Sequence, residues 1–390
     1  MTGRKMTLLH IASDEKFIDG GHYVFERAFP GCNNFIIPKS SFNRKFVYVK
    51  NLENTEVIPF NRSLIEKLVR RTRECDSVFL HGINELNSTL FVASGEKRKS
   101  VGILWGAELY NDENFPDKVL LGDLTSRIKL PEPSKSKNDI VKSVLRKMLF
   151  QDINLNKDVV RQAASGLNYF SVPYREEFDY FADRKIISQK CKFIPFTYYP
   201  LEFILKGNEN IKINGNNILV GNSANYTNNH LEVFRILGRL GIEDRKIIVP
   251  LSYGDLQYGE YIYSEGLRLL KGNFMPLRTF IPLDVYTRTL QSCGIAIMNH
   301  YRQQAVGNIL MMIWLGSKVY LSPLSTLYTY LKRIGIKVFS IEQDLVSDNP
   351  EALINLSVED ANRNRIILRE EFSEKAVVSR LRDAVMENFM

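Results

Sequence analysis

Short apolar runs alternate with amphipathic stretches along most of this chain. The runs at 6–12, 34–38, 76–81, 100–105, 168–172 and 192–196 have the length of buried strands. Helical spacing of apolar residues marks 62–74 and 175–188 between them, and a helix is expected to begin near His22. The second half repeats the scheme, with strands predicted at 216–220, 245–250, 294–298, 318–321 and 337–340. Its helices are predicted at 228–240, 258–271, 283–293, 307–315 and 325–334. Such alternation predicts parallel sheets with helices on both faces, and two sets predict an α/β protein of two Rossmann-like, doubly wound domains. The first domain is expected over 1–200 and the second over 216–372. The polar, glycine- and asparagine-rich stretch 198–215 reads as the boundary, with a linker at 201–215. The last segment, 373–390, carries Val377, Val378, Leu381 and Val385 at helical spacing and is expected to pack back on the first domain.

Composition narrows the class. The 390 residues are 44% hydrophobic and 25% charged, which fits a globular protein of two domains. A net charge of +8 favours an anionic partner: nucleic acid, anionic lipid headgroups or a phosphorylated substrate. Cys32, Cys75, Cys191 and Cys293 are far apart, so neither a disulfide framework nor a metal cluster is expected, and a reducing cytoplasm fits. The basic N-terminus is followed by an apolar run too short for a secretory signal. No uncharged apolar stretch approaches the length of a membrane span.

Chemistry is expected where strands end in polar loops. In NHYRQQAVGN, a polar loop with His300, Arg302, Gln303 and Gln304 runs into Gly307 and Asn308 at the start of an apolar helix. Free backbone N–H groups and the positive helix end suit a phosphate, and Arg302 could add a bidentate clamp. In GNSANYTNNH, after the strand NILV, Gly221, Asn222, Ser223 and Asn225 crowd a strand-to-helix turn. Such crowding serves either a cap at Asn228 or Asn229, or a loop binding phosphate or sugar. In WGAELY, Glu108 follows a strand beside Trp105 and Tyr110. A carboxylate there can deprotonate a hydroxyl within hydrogen-bond reach, or it is simply solvated. Asp14 and Asp19 follow the first strand in IASDEKFIDGGH, and His81 ends the third in FLHGIN. A basic amphipathic segment at 138–151 places Lys142, Arg146 and Lys147 beside Val144, Leu145, Met148 and Leu149. It reads as a helix lying on an anionic membrane or as a core helix with a solvated face. GxGxxG, P-loop, kinase, zinc and Ser-His-Asp patterns are not found.

GNSANYTNNH, then KIIVPLSYG, FIPLDVYTRTLQSCGIAIM and YRQQAVGN, with WGAELY before them, resemble the TDP-N-acetylfucosamine:lipid II N-acetylfucosaminyltransferases. The resemblance extends from the first strand to about Asp344 and is strongest over 218–316. It implies a GT-B glycosyltransferase of two Rossmann-like domains facing each other across a cleft, with no cofactor or metal required. It further implies a nucleotide-sugar donor on the C-domain and a lipid-linked oligosaccharide acceptor on the N-domain. Gly221, Asn222 and Ser223 fall on the family's donor-side turn, and Arg302, Gln303, Gln304 and Gly307 on its arginine–glutamine–glutamine loop. Glu108 stands where relatives usually carry aspartate.

The leading expectation is therefore a transferase peripheral to the cytoplasmic face of a bacterial inner membrane, with Glu108, Asp14 and Asp19 as catalytic candidates. The donor set is Gly221, Asn222, Ser223, Asn225, Arg302, Gln303, Gln304, Gly307 and Asn308. Trp105, Tyr110 and His81 are placed on the acceptor side, and Lys142, Arg146 and Lys147 on the membrane. The alternatives are a nucleotide-sugar epimerase on the same scaffold and a non-catalytic nucleic-acid binder. No nucleic-acid-binding motif accompanies the spread of basic residues.

Overall fold

The structure is a computed structural model describing residues 6–39, 46–51, 53–59, 63–95, 99–106, 108–110, 120–130, 157–242 and 244–389. The segment at 138–151, with Lys142, Arg146 and Lys147, lies outside the described residues. The chain forms two compact units. The first contains β1 (Leu8–Ile11), α1 (Ile18–Ala28), β2 (Asn33–Lys39), β3 (Thr55–Pro59), α2 (Leu64–Arg73), β4 (Ser77–His81) and α3 (Glu85–Ser94). It continues with β5 (Ser100–Ile103), α4 (Lys157–Gly166), β6 (Tyr169–Val172), α5 (Arg175–Asp183) and β7 (Lys192–Pro195). The second contains α6 (Leu201–Leu205), β8 (Asn217–Val220), α7 (His230–Arg239), β9 (Ile247–Pro250), α8 (Leu256–Leu270) and β10 (Phe274–Leu277). It continues with α9 (Leu283–Gln291), β11 (Cys293–Met298), α10 (Val306–Leu315), β12 (Lys318–Leu321) and α11 (Thr326–Arg333). Then follow β13 (Phe339–Ser340), α12 (Ile341–Asp344) and α13 (Val358–Phe372); the final helix, α14 (Glu374–Phe389), belongs to the first unit.

Each unit is built on one parallel sheet, in the order β3-β2-β1-β4-β5-β6-β7 and β10-β9-β8-β11-β12-β13. The central strands are short and aliphatic because helices cover both faces, leaving no polar face to alternate with. In the second unit Ile218, Val220, Val249, Ile295 and Ile297 meet Phe234 of α7 and Tyr258 of α8 in one core. In the first, Leu8, Phe79, Val101 and Ile194 pack with Val24 and Phe25 of α1 and with Val377, Leu381 and Val385 of α14. Arg382 completes that packing by donating to the carbonyls of Ala28 and Arg27, the free C-terminal end of α1.

The strand order reverses between β1 and β4 in one sheet and between β8 and β11 in the other. Crevices open at such switch points, beyond the carboxyl ends of the strands. The loops after β1, β8 and β11 carry Asp14, the Gly221 turn and Arg302, and β4 ends on His81.

Four sequence expectations change. Helix α1 starts at Ile18, with both glycines inside it. A side chain at Gly20 would run into the Tyr198 carbonyl at 2.5 Å and the Tyr199 ring at 2.7 Å. The stretch expected as a linker at 201–215 holds the helix α6 and packs into the second unit. There Trp314 Nε1 donates to the Glu209 carbonyl and the Ile213 N–H to that of Leu315. Residues 120–130, expected in the first domain, belong to the second unit, where Leu124, Ile128 and Leu130 pack on its core. Asn229 precedes α7 but its side chain does not cap that helix.

Candidate active site

In the second unit, Val220 leads into a turn that needs Gly221. Its φ is +66°, and a side chain there would meet Asn228 Oδ1 at 2.6 Å and His230 Nε2 at 2.9 Å. Asn228 organises the turn. Its amide donates to the Asn225 carbonyl (3.1 Å) and Ser223 Oγ (3.3 Å), while its Oδ1 accepts from the Asn222 N–H (2.9 Å). His300, from the loop after β11, reaches the same Oδ1 at 3.0 Å. That oxygen is an acceptor, so His300 Nε2 carries the proton there. Burial, aided by Arg302 and His230, holds the His300 imidazole down at about 3, so it is neutral.

The two loops are joined at a second point. Thr227 Oγ1 donates to Gln304 Oε1 (2.7 Å), and Gln304 Nε2 donates to Asn222 Oδ1 (3.4 Å). Beyond Gln304, Ala305 takes a left-handed conformation and α10 begins without a side-chain cap. The N–H groups of its first turn have no partner inside the helix and carry its positive dipole end. A side chain built on Gly307 would meet nothing within 4 Å. Glycine thus leaves open space in front of the helix terminus.

The donor candidates divide into two kinds. Asn222, Gln304, Gly307 and Asn308 are partly exposed along the turn and the helix end. Ser223 and Arg302 are buried: Ser223 Oγ accepts from Asn228, and Arg302 Nη1 donates to the Gln303 carbonyl at 2.9 Å. The guanidinium therefore shapes the loop from beneath, in place of the open clamp expected from the sequence. Asn225 faces solvent. Asn229 is used for joining, accepting from the Gly122 N–H (2.9 Å) and donating to the Leu120 and Asn299 carbonyls.

Beside this turn lies a cavity of about 250 Å³ whose walls include Tyr253, Leu277, Phe280, Ile281 and Tyr286, with Asn222 and Asn308 on its edge. Phe280 is 88% exposed, so its ring is open to solvent at the cavity wall. None of these five residues is among the candidates expected from the sequence. The signal was present in FIPLDVY, an apolar pair opening a polar strand-to-helix loop.

In the first unit Glu108 is partly exposed and its Oε1 accepts from the Trp105 N–H at 3.1 Å. Four other first-unit candidates are corrected. Asp14 and Asp19 fasten the 46–51 loop: Asp14 accepts from the N–H groups of Val47, Tyr48 and Val49, and Asp19 from those of Lys50 and Asn51. Burial alone would raise the Asp14 carboxyl. The three N–H groups and Lys39 outweigh it, leaving the carboxyl below its ordinary value and a poor base. Tyr110 is fully buried with its hydroxyl on Glu177 (3.0 Å), and His81 is fully buried beneath Tyr198. Neither offers a surface to an acceptor. Among the described residues no group of three His, Cys, Asp or Glu side chains could hold a metal ion, and no helix is long and apolar enough to cross a membrane.

Known proteins share this architecture. Residues 169–363, half of the chain, match the family described as 4-alpha-L-fucosyltransferase glycosyl transferase group 56. Among solved structures, HepE of Anabaena in complex with UDP aligns with a TM-score of 0.60 at 12% identity, covering 98% of this chain and 100% of that one. Sucrose-phosphate synthase of Thermosynechococcus elongatus aligns with a TM-score of 0.59 at 9% identity over 98% and 99% of the two chains. Trehalose 6-phosphate synthase of Burkholderia multivorans gives 0.56 at 9%, over 99% and 98%. The fold is that of the GT-B glycosyltransferases.

Proposed function

The chain belongs to the 4-alpha-L-fucosyltransferase glycosyl transferase group 56, and from that premise we propose its donor, acceptor and base. As a glycosyltransferase it moves a deoxy or amino sugar from a dTDP-linked donor to a polyprenyl-diphosphate-linked oligosaccharide, in assembly of a bacterial surface polysaccharide. It does so peripherally, at the cytoplasmic face of the inner membrane.

The observation that carries this reading is the continuity between cavity and anion loops in the second unit. Asn222 and Asn308 belong to the Gly221 turn and to the α10 terminus, and both line the cavity. The nucleobase enters the cavity, where Leu277, Phe280 and Ile281 suit a pyrimidine bearing a methyl group. The diphosphate then lies against the turn and the first N–H groups of α10. UDP bound in HepE supports a nucleoside diphosphate on this fold. Glu108 takes the proton of the acceptor hydroxyl as its oxygen attacks the anomeric carbon. The bond from that carbon to the diphosphate breaks, and its electron pair leaves with the nucleoside diphosphate. The helix terminus stabilises the charge that develops there. The basic amphipathic sequence at 138–151 supports contact with an anionic leaflet.

Labelled dTDP-, UDP- and GDP-sugars, each with and without a polyprenyl-diphosphate oligosaccharide in anionic vesicles, test the reading. Transfer is expected only with the acceptor present and fastest from dTDP. Glu108→Gln should keep donor affinity while turnover falls roughly 10²-fold or more. Conversion of the donor without any acceptor would overturn the transferase reading in favour of an epimerase. Near-normal turnover of the variant would remove Glu108 as the base. Reversing the charges of Lys142, Arg146 and Lys147 should weaken vesicle binding at low salt; binding that ignores both substitution and salt would sink the membrane assignment.

A further inference from the structure

A line of hydrogen bonds crosses the first unit from its core to the Glu108 turn. Asn33 Nδ2 shares its two hydrogens among three acceptors, the Phe29 carbonyl (2.8 Å), Glu26 Oε1 (2.8 Å) and the Phe25 carbonyl (3.1 Å), so its Oδ1 is the atom facing His10 Nε2 at 3.2 Å. His10 Nε2 must therefore carry a proton. His10 Nδ1 lies 3.0 Å from His81 Nε2, and His81 Nδ1 lies 2.9 Å from the Tyr198 hydroxyl. Tyr198 also accepts from Trp105 Nε1 at 2.8 Å.

Both imidazoles are fully buried, and burial keeps both neutral, His81 down at about 3. With one proton per ring, every hydrogen in the line is then fixed. His10 donates to Asn33, so its Nδ1 accepts from His81 Nε2. His81 Nδ1 accepts from the Tyr198 hydroxyl, whose oxygen accepts from the Trp105 indole. All donors point the same way, inward. No member can reverse without leaving a buried polar atom unpaired, which costs about 1–3 kcal/mol. Trp105 is the outer end of the line, and its own backbone N–H holds Glu108 Oε1.

We propose that His81, His10 and Tyr198 are positioning residues for the Trp105–Glu108 turn, fixing the indole and through it the direction of the Glu108 carboxylate. The proposal rests on Glu108 acting in transfer. It gives a physical reason for two neutral histidines in a core where aliphatic residues would pack more cheaply. It also explains why Tyr198, the residue two before Pro200, is held against the glycines of α1.

Tyr198→Phe removes both hydrogen bonds and keeps the ring. With tryptophan labelled by ¹⁵N, Trp105 and Trp314 are the two indole signals, and Trp314→Phe assigns them. The expected result is a displaced, faster-exchanging Trp105 Nε1–H, kcat lower by roughly tenfold or more, and an unchanged KM for the donor, which the second unit binds. In a Glu108→Gln background the same substitution should cost nothing further, because the two act as one unit. Where Tyr198→Phe does not fold, His81→Gln replaces it. Its amide retains one donor and one acceptor, so its kcat should exceed that of His81→Leu. A kcat within twofold of wild type for Tyr198→Phe, or for both His81 variants, would overturn the proposal even if Glu108→Gln is inactive. Should Glu108→Gln prove active while Tyr198→Phe still lowers kcat and moves the indole, the base assignment fails and the proposal, which rests on it, falls with it.

Discussion

At the scale of single residues, Gly307 gives the sharpest separation of folding from binding. It sits in the first turn of α10 with an ordinary helical backbone, and a methyl group there would enter open space. Gly307→Ala should leave stability unchanged or raise it by up to about 1 kcal/mol, since alanine loses less backbone entropy in a helix. If the donor diphosphate lies against that turn, the same methyl group occupies its place. Titration calorimetry should then show donor affinity falling at least tenfold while the melting temperature holds or rises. Unchanged affinity would move the diphosphate away from this terminus. Gly221 behaves oppositely, because its positive φ and its contacts with Asn228 and His230 leave no room for a side chain.

At the scale of elements, the segment 120–130 is a strap on the second unit. Glu232, in the first turn of α7, accepts from the N–H groups of Leu124 (2.9 Å) and Thr125 (2.8 Å) and from Thr125 Oγ1 (2.6 Å). One carboxylate thus satisfies three donors, and Asn229 adds Gly122. Glu232→Ala strands these groups and should destabilise the second unit by about 1–3 kcal/mol in urea denaturation, with early proteolytic cleavage inside 120–130. Resistance to protease equal to wild type would show that Leu124, Ile128 and Leu130 hold the strap by apolar packing alone. The strands missed in the sequence also belong to this scale. β3 and β10 are the edges of their sheets, β3 burying only Ile58 of its five residues, and β10 carrying an exposed Met275 and a proline. An edge strand is covered on fewer sides, so its apolar signal fades into that of a loop.

At the scale of the whole molecule, burial acts on histidines in both units: His10 and His81 in the first, His230 and His300 in the second. Burial depresses all four, with His81, His230 and His300 at about 3. In the unfolded chain imidazoles take up protons as pH falls through about 6.5. Between that value and the folded pKa the unfolded state binds more protons, so stability falls as pH falls. Each histidine contributes up to about 1.4 kcal/mol per pH unit in that window. Urea midpoints for both units should therefore drop between about pH 6.5 and 5, before most carboxylates titrate. Flat midpoints over that range would mean that these imidazoles are charged in the fold.

The sequence by itself determined the local terms: which runs are buried strands, which loops carry glycine and amide groups, and that two doubly wound halves follow one another. Those features follow from periodicity and turn chemistry within a few residues. The motifs at Gly221, Arg302 and Glu108 were legible for the same reason. The tertiary structure decided what each polar side chain does, because that depends on partners far along the chain. It buried Arg302 under its own loop, turned Asp14 and Asp19 to backbone N–H groups more than thirty residues ahead, and sank His81 and Tyr110 into the core. It brought Tyr253, from the loop after β9, together with Phe280 and Tyr286 at one cavity beside Asn222. It carried 120–130 into the second unit and α14 back to the first. Long-range burial and hydrogen-bond pairing fix these roles, and neither leaves a mark in local spacing.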